Sequence, residues 1–85
     1  MVSKDEFQRL TLEQKYRRLE KDGDFIASRI YLGFNVHLFS LYGFYVEMWQ
    51  RISLSNVEYI EILNRKETLQ EYTGHINLNK DLNLD

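Results

Sequence analysis

From Phe25 to Leu63 apolar and polar residues alternate, and the pattern is interrupted at Gly33, at Gly43 and around Ser53-Leu54-Ser55. A period of two is the mark of a half-buried strand. Three interruptions therefore predict four strands joined as an antiparallel meander, the last running from Asn56 to Leu63. Gly43 is read as the left-handed residue of a three-residue turn, Leu41-Tyr42-Gly43. A two-residue Tyr-Gly turn would hold Tyr42 at positive φ, which a bulky side chain resists. That turn sets Leu38 opposite Val46 and Val36 opposite Met48. On the other face it sets His37 opposite Glu47, Phe39 opposite Tyr45 and Asn35 opposite Trp49. The register is preferred because it gathers every aliphatic residue on one face, which a slip of one residue would scramble. The same reasoning at Gly33 pairs Ile30 with Val36 and Ser28 with Leu38, and puts Arg29 beside His37. In the last strand Ile60 and Ile62 join Met48 and Val46, Tyr59 neighbours Trp49, and Glu61 neighbours Glu47.

Helical periodicity flanks this region on both sides. Ser3-Lys4-Asp5-Glu6 and Thr11-Leu12-Glu13-Gln14 are capping boxes, in which a hydroxyl and a carboxylate or amide satisfy the first free helix amides. They predict a short helix to about Leu10 and a longer one with Leu12, Tyr16 and Leu19 on one face. Gly23 is expected to end the second helix as a left-handed cap. Asn64-Arg65-Lys66-Glu67 is a third box, opening a helix whose Leu69, Tyr72, Thr73 and Ile76 share a face. The Asn- and Asp-rich tail from 77 to 85 is expected to be poorly ordered.

The resulting fold is α+β, α-α-β-β-β-β-α, one globular domain over residues 1–85. Four strands span about 19 Å and a helix is about 10 Å wide, so the helices are expected to cover one sheet face and leave the other open. The order of two helices followed by antiparallel strands resembles that of small ribonuclease toxins of toxin–antitoxin systems in element order alone. Their leading strand and strongly basic character are absent here, and no family membership follows.

Composition narrows the function. A net charge of −2 is wrong for a dedicated duplex binder, which carries a basic excess. With no Cys there is no disulfide framework and no thiol nucleophile, as in a reducing cytoplasm, where the chain is expected to reside. The N-terminal MVSKDEFQRL lacks the apolar core of a signal peptide, and no apolar run reaches the ~20 residues that span a bilayer.

Eight of the twelve aromatics fall between Phe25 and Trp49, so the open face is where a function is expected. Its candidate residues are Arg29, Tyr31, His37, Phe39, Tyr45, Glu47, Trp49, Arg51, Tyr59 and Glu61. The Arg29–His37–Glu47 row has the look of a carboxylate orienting an imidazole base. No Ser, Thr or Cys stands beside it as nucleophile in this register, so a polar ladder between strands is the preferred reading. His37, Glu47 and Glu61 could meet around a metal, but Arg29 would repel it. No catalytic residue, metal or cofactor is therefore assigned. Rings on a sheet can also stack bases, but Glu47 and Glu61 would repel phosphates, and the Arg17, Arg18, Lys21 stripe reads as the solvated side of a helix. The expectation is a non-enzymatic interaction module that dimerises through its aromatic face or binds another protein. An anionic small ligand held at Arg29, or weak single-stranded nucleic-acid binding, stands as the alternative.

Overall fold

The computed structural model describes residues 2–72; the expected contributions of Thr73 and Ile76 to the last helix, His75 and the tail from 77 to 85 lie outside them. Helices α1 (Lys4–Gln8) and α2 (Leu12–Asp22) lead into strands β1 (Asp24–Tyr31), β2 (Phe34–Leu41), β3 (Phe44–Arg51) and β4 (Val57–Ile62), and a 3-10 helix follows at Lys66–Tyr72. The four strands form one antiparallel sheet in the order β1-β2-β3-β4. The α+β class and the meander are those expected.

The first two of the three predicted capping boxes close as expected, whereas the segment after Asn64 forms a 3-10 helix. The Ser3 and Thr11 side chains accept from the amides of Glu6 and Gln14, whose own side chains accept from the cap amides. Gly23, by contrast, is extended, with φ −79° and ψ 144°. A Cβ there would lie 2.7 Å from the Leu19 carbonyl oxygen, so close approach rather than a left-handed turn selects glycine.

The two hairpins turn in two residues, not three. Leu32 and Gly33 have φ of 47° and 85°, and Tyr42 and Gly43 have 50° and 87°. These are the paired positive angles of a type I′ turn, whose twist suits antiparallel strands. The β2–β3 register therefore shifts by one residue from expectation: Leu38 pairs with Glu47, Val36 with Trp49, Phe39 with Val46 and Leu41 with Phe44. In the first hairpin Arg29 pairs with Val36 and Ser28 with His37. The β3–β4 register is the expected one, with Val46 beside Ile62, Met48 beside Ile60, Glu47 beside Glu61 and Trp49 beside Tyr59.

Tyr42 tolerates its left-handed backbone because other contacts offset the strain. Its ring meets Phe44 edge-on at 6.3 Å and its hydroxyl donates to the Asp22 carboxylate. Leu32 is 78% exposed, so it has little packing among the described residues to offset the same strain. Leu32→Asn should therefore raise stability by about 0.5–1 kcal/mol, since Asn accepts the left-handed region far more readily. Urea denaturation monitored at Trp49 checks this; an unchanged midpoint would mean that Leu32 is held by contacts not visible in its exposure.

The one-residue shift splits the apolar residues between two faces. On the first, Phe7 and Leu19 pack on Leu41, Phe44, Val46, Ile60 and Ile62. On the second, Leu69 and Tyr72 of the 3-10 helix pack on Ala27 and Leu38. So α1 and α2 cover one face as expected, but the last helix lies across the other, over β1. Leu12 and Tyr16 remain largely exposed, because α2 turns Leu19 and Lys15 toward the sheet instead. The Lys15 ammonium donates to the Ile60 carbonyl at 3.1 Å and lies 5.9 Å from the centre of the Phe7 ring.

Candidate functional site

The face bearing the 3-10 helix carries eight of the ten predicted residues: Arg29, Tyr31, Tyr45, Glu47, Trp49, Arg51, Tyr59 and Glu61. His37 and Phe39 lie on the opposite face, a direct result of the shifted register. There Phe25 packs against both, with ring centroids 6.2 Å from His37 and 5.8 Å from Phe39. The expected Arg29–His37–Glu47 row therefore does not form.

Two separate arrangements replace it. Arg29 Nη2 reaches across β2 to Glu47 Oε2 at 3.2 Å, and the Tyr72 hydroxyl donates to the same oxygen at 2.6 Å. Both charged side chains are withdrawn from solvent, at 10% and 7% exposure. The guanidinium lies 5.4 Å from the Tyr31 and Trp49 ring centres and 5.5 Å from that of Tyr72. Burial opposes the arginine charge, but Tyr72 and Glu47 outweigh it and hold the group above its ordinary value. Burial, then the bond to Glu47, push the Tyr72 phenol well above the usual tyrosine range. A delocalised, weakly hydrated guanidinium suits such a ring-walled position better than an ammonium.

On the other face, Ser28 Oγ stands 2.7 Å from His37 Nδ1, and His37 Nε2 stands 3.2 Å from Gln50 Oε1. The Gln50 amide nitrogen donates to the Ser55 carbonyl, which leaves Oε1 as the acceptor. For a neutral ring this partner set assigns the proton to Nε2, with Nδ1 accepting from Ser28. The serine was hidden from sequence reasoning by the register, which had placed it opposite Leu38. The set has the order of a nucleophile, a base and an orienting group, but the third member is an amide. It offers no negative charge to stabilise an imidazolium.

The three-residue metal site also falls apart, because His37 faces away from Glu47 and Glu61. No cluster of metal-ligating side chains occurs among the described residues.

Phe34 is the residue that sequence reasoning missed. It completes a run of rings across all four strands: Tyr31 on β1, Phe34 on β2, Trp49 on β3 and Tyr59 on β4. Centroid distances are 6.0 Å from Tyr31 to Trp49, 5.5 Å from Trp49 to Phe34 and 6.1 Å from Phe34 to Tyr59. Arg51 stacks on Phe34 at 4.6 Å and pairs with Glu58. The correct cue was the repeated X-Gly turn, which puts Phe34 on the same side as Trp49. Tyr45 stands apart from the run, packed beside Leu38 and the 3-10 helix, and burial raises its phenol's pKa. Among the described residues no helix is long and apolar enough to cross a membrane. No family model, curated protein or solved structure matches this chain.

Proposed function

We propose that this protein is a non-enzymatic, cytoplasmic interaction module that pairs with a second copy of itself through the run of rings on its sheet. One observation carries the reading: Tyr31, Phe34, Trp49 and Tyr59 form a continuous aromatic band, and its two outer rings are 47% and 49% exposed. A large aromatic buries about 150–250 Å² when covered, so the band supplies the apolar centre of a standard interface of about 800 Å² per partner. Exposed Ile52 and Leu54, in the β3–β4 loop, extend it at one end of the sheet. Trp and Tyr are also the types that most often dominate interface energetics.

A two-fold axis parallel to the strands would lay β1 of one copy over β4 of the other, bringing Tyr31 against Tyr59. Arg29 takes no part as a bridging cation, because Glu47 of its own chain already neutralises it. The same pairing, with that of Arg51 and Glu58, argues against nucleic acid. Neither arginine could meet a phosphate without giving up a carboxylate.

Sedimentation equilibrium tests this reading. At roughly 100 μM a dimer with a dissociation constant of ~1 μM would be mostly associated, and Tyr59→Glu should return it to a folded monomer. Tyr59 serves better than Trp49 for this purpose because it lies on the edge strand and supports no buried charge. A wild-type chain that sediments as a monomer at that concentration overturns self-association.

A further inference from the structure

Two hydrogen-bond donors in the ring-walled site have no acceptor among the described residues. Arg29 Nε and Trp49 Nε1 are both buried and both unpartnered. Buried polar groups are almost always satisfied, and each exception calls for a reason. Here the two exceptions occur in one stack, since the guanidinium lies 5.4 Å from the Trp49 ring centre. Tyr31 bounds this stack. It lies over Arg29 and meets Trp49 edge-on at 6.0 Å, yet is itself half exposed next to a hairpin turn. A change of its side-chain rotamer would open the stack without disturbing the sheet.

We infer that Arg29 Nε and Trp49 Nε1 form a binding site for the carbonyl oxygen of an amide ligand, which enters by displacing Tyr31. The charge balance selects the ligand class. Arg29 is already neutralised by Glu47 at 3.2 Å, so a carboxylate would bring a second anion to one guanidinium. A neutral carbonyl has two lone pairs, enough for both donors, and adds no charge. With Tyr31 displaced, the Trp49 and Tyr72 rings that flank Arg29 supply apolar walls for the rest of an amide. This assignment revises the anionic ligand expected at Arg29, and it does not depend on self-association.

The chain has a single tryptophan, so Trp49 Nε1–H gives a single indole signal in a nitrogen-15 correlation spectrum. N-methylacetamide is titrated into the labelled wild-type chain and into Tyr59→Glu, with acetate as the charged comparison. The Trp49 indole and Arg29 Nε–H signals should move together along one saturating curve in both proteins. Acetate should bind about ten-fold more weakly. Tyr31→Ala should tighten amide binding, and Arg29→Lys, which keeps a cation beside Glu47 but removes Nε–H, should abolish saturation. Signals that drift linearly, stay still, or respond more to acetate overturn the inference. So do signals that follow protein concentration in the wild type and lose that dependence in Tyr59→Glu, for then a second copy supplies the acceptor. If Arg29→Lys fails to fold, Tyr31→Ala decides the matter by itself: unchanged or weaker amide binding sinks the site.

Discussion

Leu38→Ala is expected to lower stability by about 2–5 kcal/mol, most of what a domain of this size possesses. Leu38 is fully buried, on the face where Ala27, Leu69 and Tyr72 surround it. Truncation removes three carbons there and leaves a cavity that can collapse only if the 3-10 helix moves inward. That helix packs mainly on β1 and, among the described residues, has no second layer behind it, so the local cost should appear as loss of the 3-10 helix before loss of the sheet. Hydrogen exchange separates the two events: amides of residues 66–72 should lose protection more than those of β3. The midpoint of urea unfolding gives the total. A midpoint close to wild type would mean that the second face contributes little and that the helices on the first face alone hold the domain.

This position also shows how much of the fold the sequence made legible. Leu38 was expected to be buried beneath residues of both the second and the last helix, and it is buried, but only the last helix, through Leu69 and Tyr72, covers it. Local rules succeeded where the physics is local: the reciprocal side-chain and amide bonds of Ser3 with Glu6 and of Thr11 with Gln14 need only three residues of spacing. Strand number and order followed from period-two patterning and its breaks. The β3–β4 register came out right because Ile60 and Ile62 had Met48 and Val46 as their only plausible apolar partners. The other two registers failed on one premise, that all aliphatics belong to one face. In fact Val36 and Leu38 lie on the sheet face that bears the 3-10 helix, while Val46, Ile60 and Ile62 face α1 and α2.

The failure at Tyr42 is instructive for the same reason. The cost of its positive φ was weighed correctly, but what offsets it is a bond to Asp22, twenty residues away, and a ring contact with Phe44. The bond to Asp22 cannot be read from the turn's own residues. Buried Glu47 was equally hidden. A glutamate between Val46 and Met48 looks like the solvent side of an alternating strand, and only the approach of Arg29 across β2 and Tyr72 from the last helix explains its burial. Of the candidate site, the ring character of the sheet and the membership of Tyr31, Trp49 and Tyr59 were legible. The exclusion of His37 and Phe39 and the inclusion of Phe34 were not, because a one-residue slip moves every side chain to the other face.

Glu47→Ala should be the most damaging change to that site, costing about 3–5 kcal/mol, because it leaves the Arg29 charge buried without a counter-charge. Glu47 is 5% exposed and holds both the Arg29 guanidinium and the Tyr72 hydroxyl, so its loss frees two donors at once. Glu47→Gln retains one oxygen acceptor and the side-chain volume, and should cost less than the alanine. The pair Arg29→Met with Glu47→Leu should recover much of the loss, since a buried ion pair replaced on both sides leaves no orphaned charge. Urea unfolding of wild type, Arg29→Met, Glu47→Leu and the double variant yields the coupling directly. The pH response supplies a second check. Burial first, and the bond to Glu47 second, raise the folded-state pKa of Tyr72. As pH climbs from the ordinary tyrosine value toward that raised one, the unfolded chain gives up this proton while the folded chain keeps it. Stability therefore falls in the alkaline window and is complete below it. Glu47→Ala removes the hydrogen-bond part of the shift but leaves the burial part, so its decline should end at a lower pH and its total alkaline loss should be smaller. An alanine variant that unfolds within about 0.5 kcal/mol of wild type, the range of an ordinary surface change, with an unaltered alkaline loss, would show that Arg29 and Tyr72 find other partners as readily as Glu47.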